Sequence, residues 1–210
     1  MKIIYVYDAL CGWCYGFSPV MEAFHQKHRD EFAFEVVSGG MITGSRIGRI
    51  GEVAPYIKQA YKEVENRTGV RFGEAFLNDV LEEGSTVFTS VPLGVAMSVL
   101  KSHQPRQAVA FAGRLQQAVY YDGLAPQDTD AYGPLAEEFG LNGADFVAQM
   151  AQPEFQQAAQ QDFQRTQQLG VTGFPTVLAE VNETYYRLVS GYVPLTNLEQ
   201  QLESLLAQTR

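Results

Sequence analysis

Two cysteines, Cys11 and Cys14, are the only thiols in the 210-residue chain, and only Gly12 and Trp13 separate them. A pair at this spacing fits a redox dithiol, half of a metal site, or two small core residues that happen to be close. Thiol–disulfide exchange needs a thiolate, because the thiolate and not the thiol attacks a disulfide sulfur. A helix that opens directly after Cys11 would point unpaired amide hydrogens and a partial positive charge at that sulfur. Cys14, three positions on, would then reach back within one turn and close an intramolecular disulfide. The pair therefore carries a mechanism if it sits between a strand and a helix.

The metal reading draws on His25 and His28, which give C-x2-C-x10-H-x2-H. Both inner spacings are shorter than a zinc finger requires, and a finger holds its cysteines on a hairpin. A helix from Cys14 to His28 would span about 20 Å and put the histidines at its far end. No metal and no cofactor are expected. His28 lies one turn after Phe24, beside an apolar stripe, and His103 falls near a helix end.

The elements that must hold the pair follow from periodicity. Lys2 to Tyr7 is rich in Ile, Val and Tyr and predicts a buried strand. Phe17, Val20, Met21 and Phe24 recur at helical spacing, with Pro19 expected near the start of that helix, where a missing amide hydrogen is tolerated. Phe32 to Val37 predicts a second strand that turns through Ser38, Gly39 and Gly40. From about Ile50 to Leu169 the signals are helical almost throughout, including a glutamine-rich stretch in which Phe155, Ala159 and Phe163 mark the apolar face. The strand style returns in "FPTVLAEV" and "TYYRLVSGY", around a turn at Asn182 and Glu183, and Leu195, Leu198, Leu202 and Leu205 line a last helix. A second punctuated run, "LGVTGFPTVL" from Leu169 to Leu178, enters the first of these late strands, and its Phe174-Pro175 bond is a candidate for the cis form.

Taken together, "CGWC" between a first strand and a first helix and "GVTGFPT" before a hairpin and a last helix resemble the thioredoxin-fold superfamily. The long helical stretch resembles its DsbA-like branch, in particular cytoplasmic proteins described as predicted protein disulfide isomerases or FrnE-like. The resemblance covers nearly the whole chain and is clearest in Lys2 to Gly40 and Tyr132 to Val181. It implies a thioredoxin-like α/β fold, built from 1–41 and 170–210, with a large all-helical insertion at 42–169. It also implies roles. Cys11 matches the nucleophile and Cys14 the resolving thiol. Gly12 and Trp13 match the dipeptide that tunes redox poise. Pro175 matches the cis-proline opposite the pair, and Phe174 the residue whose backbone pairs with an extended substrate. Two positions depart from the pattern. Gly-Trp offers no imidazolium between the cysteines, and Tyr5 stands where many relatives carry a buried carboxylate. Asp8, three residues before Cys11, is the nearest acid and reads as a cap on the strand end.

The function implied is thiol–disulfide exchange, as a protein disulfide reductase or isomerase acting on cysteine-containing proteins or peptides, with glutathione as a further partner. Two alternatives stand beside it: a glutathione-dependent transferase or isomerase of the kappa class, which needs no second cysteine, and a peptide-binding module whose thiols are idle. With 24 acidic and 15 basic residues the net charge is −9, which argues against a nucleic-acid partner. No apolar run reaches membrane-span length, and "MKIIYVYD" reads as a strand rather than a signal peptide. The expected location is the cytoplasm, where a close cysteine pair is more often catalytic than a structural bridge.

Overall fold

A computed structural model describes residues 1–209. The chain opens with β1 (Lys2–Tyr7), α1 (Gly12–His28) and β2 (Ala33–Ser38). It then leaves the sheet. β3 (Gly48–Arg49), α2 (Ala54–Thr68), a π-helical segment (Ala75–Glu82) and β4 (Val87–Phe88) come first. α3 (Val91–His103), α4 (Ala108–Tyr120), α5 (Tyr132–Glu137), α6 (Gly143–Met150) and α7 (Pro153–Gln168) follow. β5 (Thr176–Val181), β6 (Thr184–Ser190) and α8 (Leu195–Thr209) complete the fold.

The main sheet has the order β2-β1-β5-β6, with β1 parallel to β2 and antiparallel to β5. β5 and β6 form a hairpin whose two central residues, Asn182 and Glu183, both have positive φ. That is the backbone a tight two-residue turn demands, because its twist matches the flanking strands. β1 is buried on both faces, as its run of Ile, Val and Tyr requires. Ile3, Tyr5 and Tyr7 join the larger core, while Ile4 and Val6 pack with Val37, Val171 and Leu178 on the other side. The large cluster is continuous from β1 and α1 through α3 and α4 of the insertion, and Cys11 and Cys14 lie within it.

Three details differ from the sequence expectation. The insertion is not all helical, because β3 and β4 pair as a short antiparallel ladder that continues in Ile50 N–H to Thr86 O and Gly51 N–H to Gly84 O. Gly44, Gly48, Gly51 and Gly84 interrupt helical periodicity there, so the backbone groups find partners across the gap instead. The Phe76, Leu77, Val80, Leu81 stripe winds as a π-helix rather than an α-helix. Pro19 lies inside α1, because the helix already begins at Gly12. A proline there leaves the carbonyl four residues back without its donor. The Ser18 hydroxyl takes that place, donating to Tyr15 O at 2.8 Å.

Candidate active site

Cys11 is the N-cap of α1 and has extended backbone angles, with no side chain capping the first turn. Gly12 and Trp13 are the first residues of the helix, and Cys14 completes its opening turn. Cys11 is 8% exposed, Cys14 is fully buried, and both are free thiols. The Cys11 thiol donates to the carbonyl of Phe174 at 3.6 Å. The Phe174-Pro175 peptide is cis, and the Pro175 carbonyl accepts from Gly191 N–H at 2.7 Å. Two runs 160 residues apart in sequence thus meet at one sulfur. The Trp13 ring lies outward of the pair, with the Arg67 guanidinium 5.1 Å from its centroid and Tyr192 at 6.5 Å.

The loop that carries the pair is gripped from behind. Asp8 is buried, and its carboxylate accepts from Leu10 N–H (2.9 Å), Met41 N–H (2.7 Å) and the Ser90 hydroxyl (3.0 Å). It therefore joins the end of β1, the loop after β2 and the start of α3. Burial pushes the Asp8 carboxyl above its usual range, and the three donors, with a contribution from Gly40, pull it back. The expected role as a strand-end cap understates this. Gln116 donates to the Asp8 carbonyl at 3.5 Å and Tyr120 to the Leu10 carbonyl at 2.6 Å, both from α4. None of Ser90, Gln116 and Tyr120 stands out by motif. Gln116 falls at the helical spacing of the buried stripe, one position after Leu115 and four after Ala112, and this is the one faint signal.

The opposite side of the site is set by the turn after β2. Gly39 N–H donates to Tyr7 O, and a Cβ on Gly39 would come within 2.4 Å of the Phe174 ring. Glycine is required there so that the backbone can lie against Phe174. Ser38 is fixed in turn by α7, because its N–H donates to Asp162 and its carbonyl accepts from Thr166. Lys101 of α3 bonds both Asp162 oxygens and the Val36 carbonyl.

Electrostatics separate the two thiols. Burial pushes the Cys14 thiol well above the ordinary range, and the neighbouring Cys11 adds to the shift. Cys14 therefore holds its proton at neutral pH. Beside Cys11 opens a cavity of about 320 Å³ whose walls include Met41, Ile57, Tyr61, Phe72 and Tyr120. Its lining is apolar, and Tyr56 at its rim is 71% exposed. Among the described residues no group of three or more His, Cys, Asp or Glu is placed to hold a metal ion. His28 bonds Glu199 of α8 at 2.9 Å and stacks on Phe32, at the far end of α1 from the cysteines.

The sequence matches the family model described as DSBA-like thioredoxin domain over residues 2–203. The chain belongs to the DSBA-like thioredoxin domain family. A "putative protein disulfide isomerase" from Nitrosomonas europaea superimposes with a TM-score of 0.87 at 25% identity, covering 99% of this chain and 98% of that one. Cytosolic disulfide reductase DsbM from Pseudomonas aeruginosa gives 0.82 at 25% identity, with 99% and 100% covered. The same reductase with GSH gives 0.79 at 23% identity, again with 99% and 100% covered. No curated protein sequence matches the chain. This DSBA-like chain therefore has the fold of thiol–disulfide oxidoreductases, with its two cysteines at Cys-x-x-Cys spacing. Among the described residues no helix is long and apolar enough to cross a membrane.

Proposed function

We propose that this DSBA-like chain is a disulfide reductase or isomerase in which Cys11 is the nucleophile and Cys14 the resolving thiol. The observation that carries the reading is the placement of Cys11 at the helix N-cap, facing the Phe174 carbonyl, with Cys14 buried one turn behind it. Cys11, as thiolate, attacks one sulfur of a substrate disulfide. The substrate S–S bond breaks, one substrate sulfur leaves as a thiolate and takes up a proton, and a mixed disulfide remains. Cys14 then loses its proton and attacks Cys11 Sγ, so the second substrate sulfur leaves. Two electrons have moved from the Cys11–Cys14 pair to the substrate, and no cofactor is needed. An isomerase uses the first step alone and lets another substrate thiol take over from Cys11.

Phe174 supplies the main-chain edge along which an extended substrate aligns, with Pro175 packing opposite the pair. Gly12 and Trp13 set the redox poise and shape the rim. The apolar cavity beside Cys11 suits an uncharged side chain next to a substrate cysteine, which favours proteins or peptides as partners. Glutathione, present in a structure of the DsbM reductase, is the small-molecule partner that fits the same chemistry. The cytosolic description of that reductase supports a cytoplasmic setting. There the reducing poise favours reductase or isomerase over oxidase, because direction follows the potential difference and not the fold.

The test is turnover of a fluorogenic peptide disulfide with dithiothreitol as electron source. Wild type should turn over, Cys11→Ala should not, and equal rates would reject the assignment.

A further inference from the structure

Tyr5 shares the buried cluster of Cys11 and Cys14, and its hydroxyl is left unused by the proposed chemistry. The residue is 1% exposed, its ring stacks on Tyr7 at 5.4 Å, and Phe17 of α1 lies at 6.1 Å. Its hydroxyl hydrogen-bonds to no described residue. Three other buried phenols are partnered: Tyr15 bonds Arg71 O, Tyr120 bonds Leu10 O and Tyr132 bonds Pro126 O. A phenylalanine would fill the Tyr5 site without the cost of an unmet donor. The alternation of β1 sends Tyr5 to the side covered by α1, where Cys14 and Phe17 share one face three residues apart. After burial, Cys14 is the group that bears most on the Tyr5 phenol.

Resting on the reading of Cys14 as the resolving thiol, we propose that Tyr5 is a positioning residue for the resolving step, its unpaired O–H being the donor held for the Cys14 thiolate. Cys14 must become an anion where no water reaches it, and a buried anion without a donor is disfavoured. In the step, Cys14 releases its proton, its sulfur attacks Cys11 Sγ, and the bond from Cys11 to the substrate sulfur breaks. The departing thiolate takes up one proton, which balances the one released. Tyr5 transfers nothing. It donates to the Cys14 sulfur while that sulfur is negative and becomes unpaired again once the internal disulfide has formed. Burial keeps the phenol protonated throughout, so it remains a donor.

The test is Tyr5→Phe in the full chain, followed by stopped flow with a fluorescent peptide disulfide. Mixed-disulfide formation is read in the Cys14→Ser background and resolution in the chain with both cysteines. The titratable groups facing Tyr5 and Cys14 are Cys11, Tyr7, Asp8 and Tyr120, and the substitution leaves all four in place. Formation should be unchanged, resolution should slow about tenfold, the scale of one charge-assisted hydrogen bond, and its pH profile should move to higher pH. In the Cys11→Ser background, Tyr5→Phe should move the alkylation midpoint of Cys14 upward as well. An unchanged resolution rate and an unchanged midpoint would overturn the role of Tyr5 while leaving the exchange reading intact. If the Cys14→Ser background forms no mixed disulfide at all, the exchange reading fails and takes this inference with it.

Discussion

The Cys11 thiol stands 3.6 Å from the carbonyl oxygen of Phe174, and Gly39 is what lets Phe174 stay there. A Cβ on Gly39 would come within 2.4 Å of the Phe174 ring, so the position has room for a hydrogen and not for a methyl. Gly39→Ala should therefore displace Phe174 and slow exchange with peptide disulfides several-fold, while a small thiol reagent that needs no edge still reacts with Cys11. Loss of both reactions together, in a folded variant, would mean that Gly39 shapes the cysteine loop rather than the Phe174 edge.

Lys101 and Asp162 fix the same turn from the other side. Asp162 is the acceptor for the Ser38 amide, and its charge is matched by Lys101 at 2.8 Å. Both side chains keep some solvent contact, so the pair is worth less than a fully buried one. Asp162→Ala should cost about 2 kcal/mol, from the unmet Ser38 amide and the unpaired ammonium together. Urea unfolding measures this, and a loss below a few tenths of a kcal/mol would place the hold on the turn elsewhere.

Asp8 gives a pH prediction with a defined sign. Its carboxyl is raised by burial in the folded chain relative to 3.8. The folded state thus binds a proton more tightly than the unfolded state. The contribution of Asp8 is fully present below pH 3.8 and is lost as pH rises through the folded value. In urea unfolding at a series of pH values, wild-type stability minus that of Asp8→Asn should fall across that window and then level off. A difference that rises with pH would mean that the donors from Leu10, Met41 and Ser90 outweigh the burial.

The two halves of the candidate site were legible in sequence because each is local. Cys11 and Cys14 sit in one helical turn, and Phe174 and Pro175 are adjacent, so short runs announce both halves. The strands of the main sheet were legible for a similar reason, since β1, β5 and β6 are short apolar runs bounded by turn residues. What holds the cysteine loop in place was not legible. Ser90, Gln116 and Tyr120 reach it across separations of 82, 108 and 110 residues, which no window of sequence spans. Asp8 read as a strand-end cap because only its Leu10 donor is local, while Met41 and Ser90 come from parts of the chain whose proximity only the fold creates. Pro19 misled for a subtler reason. A proline in a helical pattern signals a start, and the Ser18 hydroxyl that makes an interior proline tolerable is ordinary to the eye.

The two thiols should differ sharply as nucleophiles toward a small reagent. Cys14 is buried and its thiol is held protonated by that burial. With iodoacetamide at neutral pH, Cys14 in Cys11→Ser should react at least tenfold more slowly than Cys11 in Cys14→Ser. Its rate should keep climbing well above pH 9, around which an ordinary thiol titrates. Equal rates would show that Cys14 is neither shielded nor shifted.

Covalent trapping tests the division of labour most directly. In the proposed mechanism Cys14 attacks the mixed disulfide from within the same helical turn, an intramolecular reaction with a high effective concentration that would keep the intermediate short-lived in wild type. Cys14→Ser removes that escape. Incubated with a peptide disulfide and resolved by mass spectrometry without reductant, Cys14→Ser should accumulate an adduct on Cys11 that dithiothreitol releases. Cys11→Ser should accumulate little or none. The reverse pattern, with the adduct on Cys14, would exchange the roles of the two cysteines, and no adduct in either variant would contradict thiol–disulfide exchange at this site.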